Sequence, residues 1–323
     1  MQTFHTLSSH QAYSTGRINE LIAGIDSRPH LRKNKEHCVF ATGAFARSEA
    51  NSHSSIDWFL IGPGSSTDQK STGFSVCQLA VGLTQLLDEM NLQGEFVATY
   101  NARDLVMHMG TPGDEQHGYW GTRMLFLLES VPIYNSAVYE QLGQSIAVAY
   151  IENFHRHTHE LPSVFLINDI IRYWKSMCLA YEHQRDFRMA TDEHRYYYHK
   201  RNLKVIYSKK LACFSFILLL LRHRELHEEG LLEIMRLNPT ERLLRLADEQ
   251  PATKPLVEEV LALFAWFLEL YDQPEDNLRC YIEDRDKRNE AFDKGRTVFG
   301  QKIFDLVMLV TQQRPEVLKY LLV

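Results

Sequence analysis

The sequence predicts an α+β protein in which a small mixed-sheet head is followed by an all-helical C-terminal domain. Short β-prone runs bounded by turn residues are confined to the first 130 of the 323 residues. Beyond them, long segments carry apolar residues three and four positions apart, the spacing of helices that bury one face. This change of pattern divides the chain into a head, residues 1–130, and a helical domain, residues 131–323.

The head is predicted to contain three strands and the helices near them. The strand candidates are rich in β-branched or aromatic residues and cover residues 37–41, 56–61 and 95–100. Helical spacing is present in residues 17–25, before the first strand, and in residues 76–90, between the second and third. A polar, glycine-containing segment at 110–121 is expected to be a loop.

Beyond residue 122, the chain is predicted to consist of helices separated by prolines. The segments with helical spacing are residues 123–128, 137–154, 164–182, 202–226, 256–270 and 298–309. Pro162, Pro239, Pro251 and Pro255 fall between them, at positions where proline ends or begins a helix. Strand signals fade in this part of the chain.

Composition and charge restrict the classes of function. The net charge of −6 argues against a surface that coats nucleic acid, because that mode of binding needs a basic field. The five cysteines lie far apart without a CxxC pair, so reduced thiols are expected rather than a zinc site. The N-terminus lacks an apolar signal core, and the longest apolar run, residues 211–221, is too short to span a bilayer. We therefore expect a cytoplasmic protein that does not enter a membrane.

The motif that carries chemistry lies between the first two predicted strands. Gly43 and Ala44 follow the first strand, and Asp57 lies in the second. A glycine turn after a strand allows backbone N–H groups to approach phosphate oxygens closely. An acidic residue on the next strand can hold the divalent metal that bridges those phosphates. Together the two features predict a nucleotide site at the ends of these strands.

This motif resembles the signature of the DNA polymerase β-like nucleotidyltransferase superfamily. In that signature Gly-Ser or Gly-Ala is followed by Arg-x-Glu and then by Ser-Asp-x-Asp before an apolar strand. The matching positions here are Gly43, Ala44, Arg47, Glu49, Ser54, Ser55 and Asp57. Residues 122–130, 166–182 and 200–211 are also similar to those of a bacterial group that joins this head to a helical C-terminal domain. The likeness covers most of the chain to about residue 220.

The resemblance implies a catalytic site that binds Mg²⁺ or Mn²⁺. Asp57 would be the principal metal ligand, helped by Ser55 and Glu95. Ser55 stands where the superfamily has its first metal-binding aspartate, so this chain departs from the pattern there. Glu95, on the third predicted strand, would supply another carboxylate, because the superfamily often places an acid on that strand; a solvated strand glutamate is the alternative. Asp104 is a weaker substitute for this carboxylate.

The resemblance also implies a nucleoside triphosphate as donor. Gly43 and Ala44 would hold its phosphates through their backbone, and Arg47 would orient the turn by pairing with Glu49. The acceptor would be an RNA end, such as that of a tRNA, or a protein hydroxyl. A toxin–antitoxin or phage-defence setting follows from the family analogy alone.

Two helical segments carry polar faces suited to the second wall of a nucleotide cleft. Asn168, Arg172 and Lys175 share one helix face because they are four and three residues apart. Arg201 and Lys204 share a face of the segment that begins at residue 200. Arginine offers fork-like donors and lysine a point charge to a triphosphate. An ordinary solvated helix face has the same pattern, so both interpretations stay open.

Alternatives from other functional classes also stay open. Ser55 offers a neutral oxygen in place of an anion, which would suit a catalytically impaired sensor or interaction protein that binds nucleotide without turnover. Residues 222–227 have the Arg/His spacing of HEPN ribonucleases, which predicts RNA cleavage that depends on His227. The tyrosine-rich residues 194–202 would either stack on a single-stranded RNA end or form a loop between domains.

Overall fold

The computed structural model describes residues 2–63, 69–153, 163–188, 191–223 and 226–321. The chain divides into two units. The sheet unit consists of Ser8–Asn153 and Glu228–Asn238, and the helical unit of Met1–Leu7, Phe154–His227 and Pro239–Val323. The fold is α+β, with a small mixed sheet in one unit and helices in the other, as the sequence predicts.

The strands of the sheet unit lie in the spatial order β3-β2-β1-β4. They are β1 (Cys38–Thr42), β2 (Ile56–Gly62), β3 (Gly94–Asn101) and β4 (Ser130–Tyr134). β1 pairs antiparallel with β2 and β4, whereas β2 and β3 run parallel. The three predicted strands are confirmed to within one residue at each end. β4 is an additional strand whose Pro132 weakens the strand pattern, and proline is tolerated there because β4 lies at the sheet edge.

The helices are numbered in chain order. They are α1 (Gln2–Asp26), α2 (Gln69–Glu89), α3 (Ala102–Met107), α4 (Pro112–Gln116), α5 (Tyr119–Leu128), α6 (Ser136–Val148), α7 (Val164–Arg188), α8 (Asp192–Lys204), α9 (Lys210–Arg222), α10 (Glu228–Arg236), α11 (Pro239–Glu249), α12 (Lys254–Tyr271), α13 (Glu275–Glu283), α14 (Arg285–Asp293) and α15 (Gly300–Thr311). Turns of π-helix occupy Ala149–Asn153, Val205–Lys209 and Lys294–Phe299. None of the described helices has both the length and the apolar character needed to cross a bilayer.

Both faces of the central strands are covered. One face packs against apolar stripes of α1 and α2, and its core contains Val39, Ala41, Trp58, Leu60, Ile18, Leu21, Ile25, Leu79, Leu83 and Leu86. On the other face, the rings of Phe40 and Phe59 stack at 5.3 Å, and Phe126 of α5 meets Phe40 edge-on at 5.2 Å. Because β1 and β2 are buried along most of their length, polar chemistry in these strands is restricted to their ends near Thr42 and Asp57.

The end of the head differs from the prediction in two respects. The expected loop at 110–121 instead forms α4 and the beginning of α5. Pro112 begins α4, and Asp114 makes two hydrogen bonds to the buried Arg123 guanidinium at 2.9 and 2.7 Å, which fixes the segment against α5. The predicted boundary after residue 130 falls at the first residue of β4, and the sheet unit continues through α6 and also includes α10.

In the helical unit, two π turns pack against each other at a glycine. Gly295 lies in the π turn between α14 and α15, and a β-carbon there would be 2.5 Å from Cγ2 of Ile206 in the π turn between α8 and α9. The Tyr207 hydroxyl donates to the Ala291 carbonyl at 2.9 Å, and its ring stacks on Phe267 at 4.7 Å. These contacts hold the two irregular turns against each other at Gly295.

Candidate active site

A row of polar residues crosses the sheet at one end of its strands. The strand register places Glu95, Asp57, Thr42 and Ser130 side by side on β3, β2, β1 and β4. Residues paired across neighbouring strands point to the same face, and the strands lie about 4.8 Å apart. The carboxylates of Asp57 and Glu95 therefore start from adjacent positions on one face, with Asp57 half-buried and Glu95 exposed.

The turn after β1 places glycine backbone beside Asp57. Gly43 has a φ of +82°, in the left-handed region that favours glycine. A β-carbon at this position would lie 3.8 Å from Asp57 Oδ2. Hydrogen bonds from the Arg47 N–H to the Gly43 carbonyl (3.0 Å) and from the Glu49 N–H to the Ala44 carbonyl (2.9 Å) close the turn. As at the start of a helix, the first N–H groups of such a turn lack partners within it, so they suit phosphate oxygens.

A buried ion cluster supports this turn. Arg47 Nε donates to Glu49 Oε2 at 2.9 Å, and Arg47 Nη1 donates to Glu129. Burial alone would lower the pKa of Arg47, but the charges of the two carboxylates raise that pKa above its ordinary value. The predicted pair of Arg47 and Glu49 is present. Because both side chains are enclosed, they hold the turn in place rather than contact a nucleotide directly.

Two supports of the turn come from distant parts of the sequence. Glu129 directly follows α5 and is separated from Arg47 by 82 residues along the chain. Asn238, which follows α10, donates from Nδ2 to Ser48 Oγ at 3.3 Å, and Ser48 has a φ of +60° within the turn. The sequence motif contains neither residue, and local spacing carries no signal for either of them.

The second half of the motif begins with a serine turn. The Asn51 N–H donates to Ser54 Oγ at 3.0 Å, and Ser54 Oγ donates to Asn51 Oδ1 at 3.1 Å, so Ser54 shapes the turn before β2. Ser55 is exposed and directly precedes β2, two residues before Asp57. The position of the expected first aspartate is therefore accessible, but it carries a neutral hydroxyl.

The register also separates two candidates for a further carboxylate. Glu95 lies at the start of β3, directly beside Asp57. Asp104 lies in α3, after the opposite end of this eight-residue strand, and accepts a hydrogen bond from Asn101 Nδ2 at 3.1 Å. Of these two acids, Glu95 is the one placed to act with Asp57.

Asp57 and Glu95 can hold a divalent ion only if other ligands complete its coordination. Across the described parts of the chain, no group of three His, Cys, Asp or Glu side chains is placed to hold a metal ion. Mg²⁺ is, however, commonly bound by one or two carboxylates together with substrate phosphates and water. Asp57 and Glu95 therefore suit Mg²⁺ or Mn²⁺ that arrives with a triphosphate, rather than an ion enclosed by protein ligands.

The predicted nucleotide contacts of the C-terminal domain belong to the helical unit. They lie on α7 and α8 and are Asn168, Arg172, Lys175, Arg201 and Lys204. Arg172 forms an ion pair with Asp169 at 3.6 Å, and Lys175 is exposed. Arg201 and Lys204 line a cavity within this unit. Their contribution to a nucleotide site stays a prediction.

The predicted RNA contacts of the C-terminal domain receive little support. Residues 194–202 form part of α8 rather than a loop. Tyr196 and Tyr198 are buried, and the Tyr196 hydroxyl donates to Glu275 at 2.7 Å, so these two rings are not presented for stacking on RNA. In the Arg/His motif, residues 224–225 lie outside the described residues, and Arg222 donates to the Glu249 carbonyl at 3.4 Å.

Comparison with protein-family models and with curated proteins does not identify the site. The chain matches no protein-family model, and no curated protein matches it significantly. A functional assignment therefore depends on the residues of the site itself.

Proposed function

We propose that the protein is a metal-dependent nucleotidyltransferase that moves a nucleoside monophosphate from a nucleoside triphosphate, with release of pyrophosphate, to an RNA end, such as that of a tRNA, or to a protein hydroxyl. The observation that carries the proposal is the position of Asp57. It lies beside Glu95 in the sheet register, and its Oδ2 is 3.8 Å from the β-carbon position of Gly43. Nucleotidyl transfer needs carboxylates close to phosphate-binding N–H groups, because the carboxylates would hold a divalent ion that offsets the negative charge of the phosphates.

Each part of the site has a separate task. The backbone N–H groups at Gly43 and Ala44 would bind phosphate oxygens, and Asp57 and Glu95 would hold the divalent ion. When bound, the ion neutralises charge on the reacting phosphate and makes the acceptor hydroxyl easier to deprotonate. Arg47 supports the turn through its buried ion pairs with Glu49 and Glu129.

Ser55 favours a second candidate function, that of a nucleotide-binding sensor. Two-metal transfer usually depends on carboxylates that hold both ions. Because Ser55 replaces an aspartate of the superfamily pattern, this site has one carboxylate charge fewer than that pattern. Such a site would retain binding of a triphosphate with one ion and lose most of its turnover.

The transfer of label from α-labelled nucleoside triphosphates to total tRNA or to lysate proteins tests the proposal. We expect transfer in the presence of Mg²⁺ or Mn²⁺, and a loss of about 100-fold or more in Asp57→Asn, the size of effect that follows removal of a charge-stabilising group. Asp104→Asn is the matched control, because it removes the same charge at the opposite end of β3. Transfer by Asp57→Asn at the wild-type rate would reject this site.

Ser55→Asp separates the enzyme from the sensor. The substitution restores the acid of the superfamily pattern at an exposed position, so folding should tolerate it. If the protein is an enzyme of reduced efficiency, Ser55→Asp should increase transfer and lower the metal concentration needed. Nucleotide binding without transfer, in both the wild type and this variant, would instead support the sensor.

A further inference from the structure

A cavity of about 300 Å³ lies in the helical unit, between α7 and the junction of α8 with its π turn. Three cationic side chains line it, those of Arg201, Lys204 and Lys209. The remainder of the described lining is apolar or aromatic and includes Tyr181, and it contains no acidic residue. Most of the cavity surface is apolar, and the three cationic side chains supply the groups that can hydrogen-bond an anion; the Lys204 ammonium also lies 5.3 Å from the centroid of the Tyr271 ring. The size of the cavity admits a ligand larger than a bare ion.

The π turn explains why both lysines reach the same cavity. Lys204 is the last residue of α8 and Lys209 the last residue of the π turn Val205–Lys209. In a π turn, hydrogen bonds join residues five apart, so residues with this spacing lie nearly above one another. In an uninterrupted α-helix with 3.6 residues per turn, the same two positions would be about 140° apart. The irregular turn therefore concentrates positive charge that an α-helix would disperse.

Packing keeps the π turn in this form. Val205 and Ile206 are buried within the turn, and Tyr207 is hydrogen-bonded to the Ala291 carbonyl. At Gly295, the opposing backbone approaches Ile206 too closely for any larger residue. Single π turns often occur at functional sites, because they reposition side chains at a cost in helical hydrogen bonding.

We infer that this cavity binds the phosphate groups of a nucleotide through Arg201, Lys204 and Lys209, while the base contacts Tyr181. Arginine and lysine form charge-assisted hydrogen bonds with phosphate, and an aromatic ring offers a stacking surface to any base. All four residues belong to the helical unit, so the inference does not rest on the proposed transfer activity. It specifies a role for Arg201 and Lys204 and adds Lys209 and Tyr181 to the candidate contacts.

Protection of lysines from acetylation tests the inference on the wild-type full chain. The protein is treated with an acetylating reagent, with and without ATP, and modification of each lysine is measured by mass spectrometry. We expect ATP to protect Lys204 and Lys209, whereas Lys254, exposed at the start of α12, should react equally in both samples. Protection should persist in Asp57→Asn, so that failure of the proposed transfer function is distinguishable from failure of this site. Reaction of Lys204 and Lys209 that ATP leaves unchanged would overturn the inference.

Calorimetric titration gives the ligand class. In EDTA, which removes the metal that the proposed site at Gly43 needs, Lys204→Ala and Lys209→Ala should each weaken ATP binding about 10-fold or more, as expected for loss of a charge-assisted hydrogen bond, whereas Lys254→Ala should bind like the wild type. Pyrophosphate should bind more weakly than ATP, and Tyr181→Ala should reduce the affinity for ATP while that for pyrophosphate is unchanged. Equal affinities for ATP and pyrophosphate would overturn the assignment of a nucleotide, and unchanged ATP binding by the folded Lys204→Ala/Lys209→Ala double variant would overturn the site.

Discussion

The replacement Arg47→Met tests whether the buried ion cluster holds the phosphate turn. Methionine is unbranched and flexible, so it fills much of the space of the arginine stem. The main effect of the change is therefore electrostatic. It removes the cation that Glu49 and Glu129 share, and it leaves two carboxylates inside the protein.

The magnitude follows from the burial of the cluster. The side chains of Arg47, Glu49 and Glu129 are 3%, 4% and 1% exposed. Removing one partner of a buried pair costs about 3–5 kcal/mol, because the remaining charge stays desolvated. Two carboxylates lose their partner here, so we expect the free energy of unfolding to fall by about 5 kcal/mol, the upper end of that range. Glu49→Gln should cost only about 1 kcal/mol, since Arg47 still pairs with Glu129.

Urea denaturation followed by circular dichroism measures these differences. Arg236→Met is the matched control, because it removes an arginine of the same sheet unit that pairs with Glu140 at 2.7 Å in an exposed setting. An exposed pair contributes about 0.2–1 kcal/mol, so this variant should be close to the wild type. If Arg47→Met lost no more stability than Arg236→Met, the assignment of a structural role to the buried cluster would be wrong.

Two further changes test the backbone of the turn and the burial of a lysine. Gly43→Ala should lower the free energy of unfolding by about 1–2 kcal/mol, because φ at this position is +82°. Gly16→Ala, on the open face of α1, should instead stabilise the protein by up to about 1 kcal/mol. Equal effects of the two substitutions in urea denaturation would contradict this reasoning. Burial lowers the pKa of Lys210 from 10.5 to about 8, so the unfolded chain binds the proton more tightly and the cost of burial is complete below pH 8. Lys210→Met should therefore raise the melting temperature most below pH 8, with a gain that shrinks towards pH 10.5; a gain independent of pH would refute this.

The parts of the fold and site that the sequence predicts are those encoded by neighbouring residues. β1 and β2 are apolar runs joined by a short polar segment, and they pair antiparallel as sequence neighbours commonly do. The glycine turn and its pair of Arg47 with Glu49 lie within this segment. The β-prone residues of β3 identify that strand, the resemblance to the superfamily suggests Glu95, and the strand register places Glu95 beside Asp57.

The remaining features depend on contacts that no local pattern records. Glu129 contacts Arg47 across 82 residues of sequence, and Asn238 contacts Ser48 across 190. The packing of the intervening helices determines where both residues lie. The alignment of Lys204 with Lys209 depends on a π turn, and a pattern with 3.6 residues per turn places these two lysines on different faces. Tertiary packing decides each of these contacts.

The charges at the two candidate nucleotide sites imply opposite responses to metal. The turn at Gly43 is accompanied by Asp57 and Glu95, and the cluster beneath it carries two carboxylates for one guanidinium. Triphosphate at that turn therefore requires a divalent cation to offset repulsion between anions. The cavity in the helical unit offers three cations and no described acid, so binding there needs no metal. In EDTA, ATP titrations should therefore retain the binding that Lys209→Ala removes and lose the binding that depends on Asp57. Loss of both kinds of binding in EDTA would contradict the proposed distribution of charge.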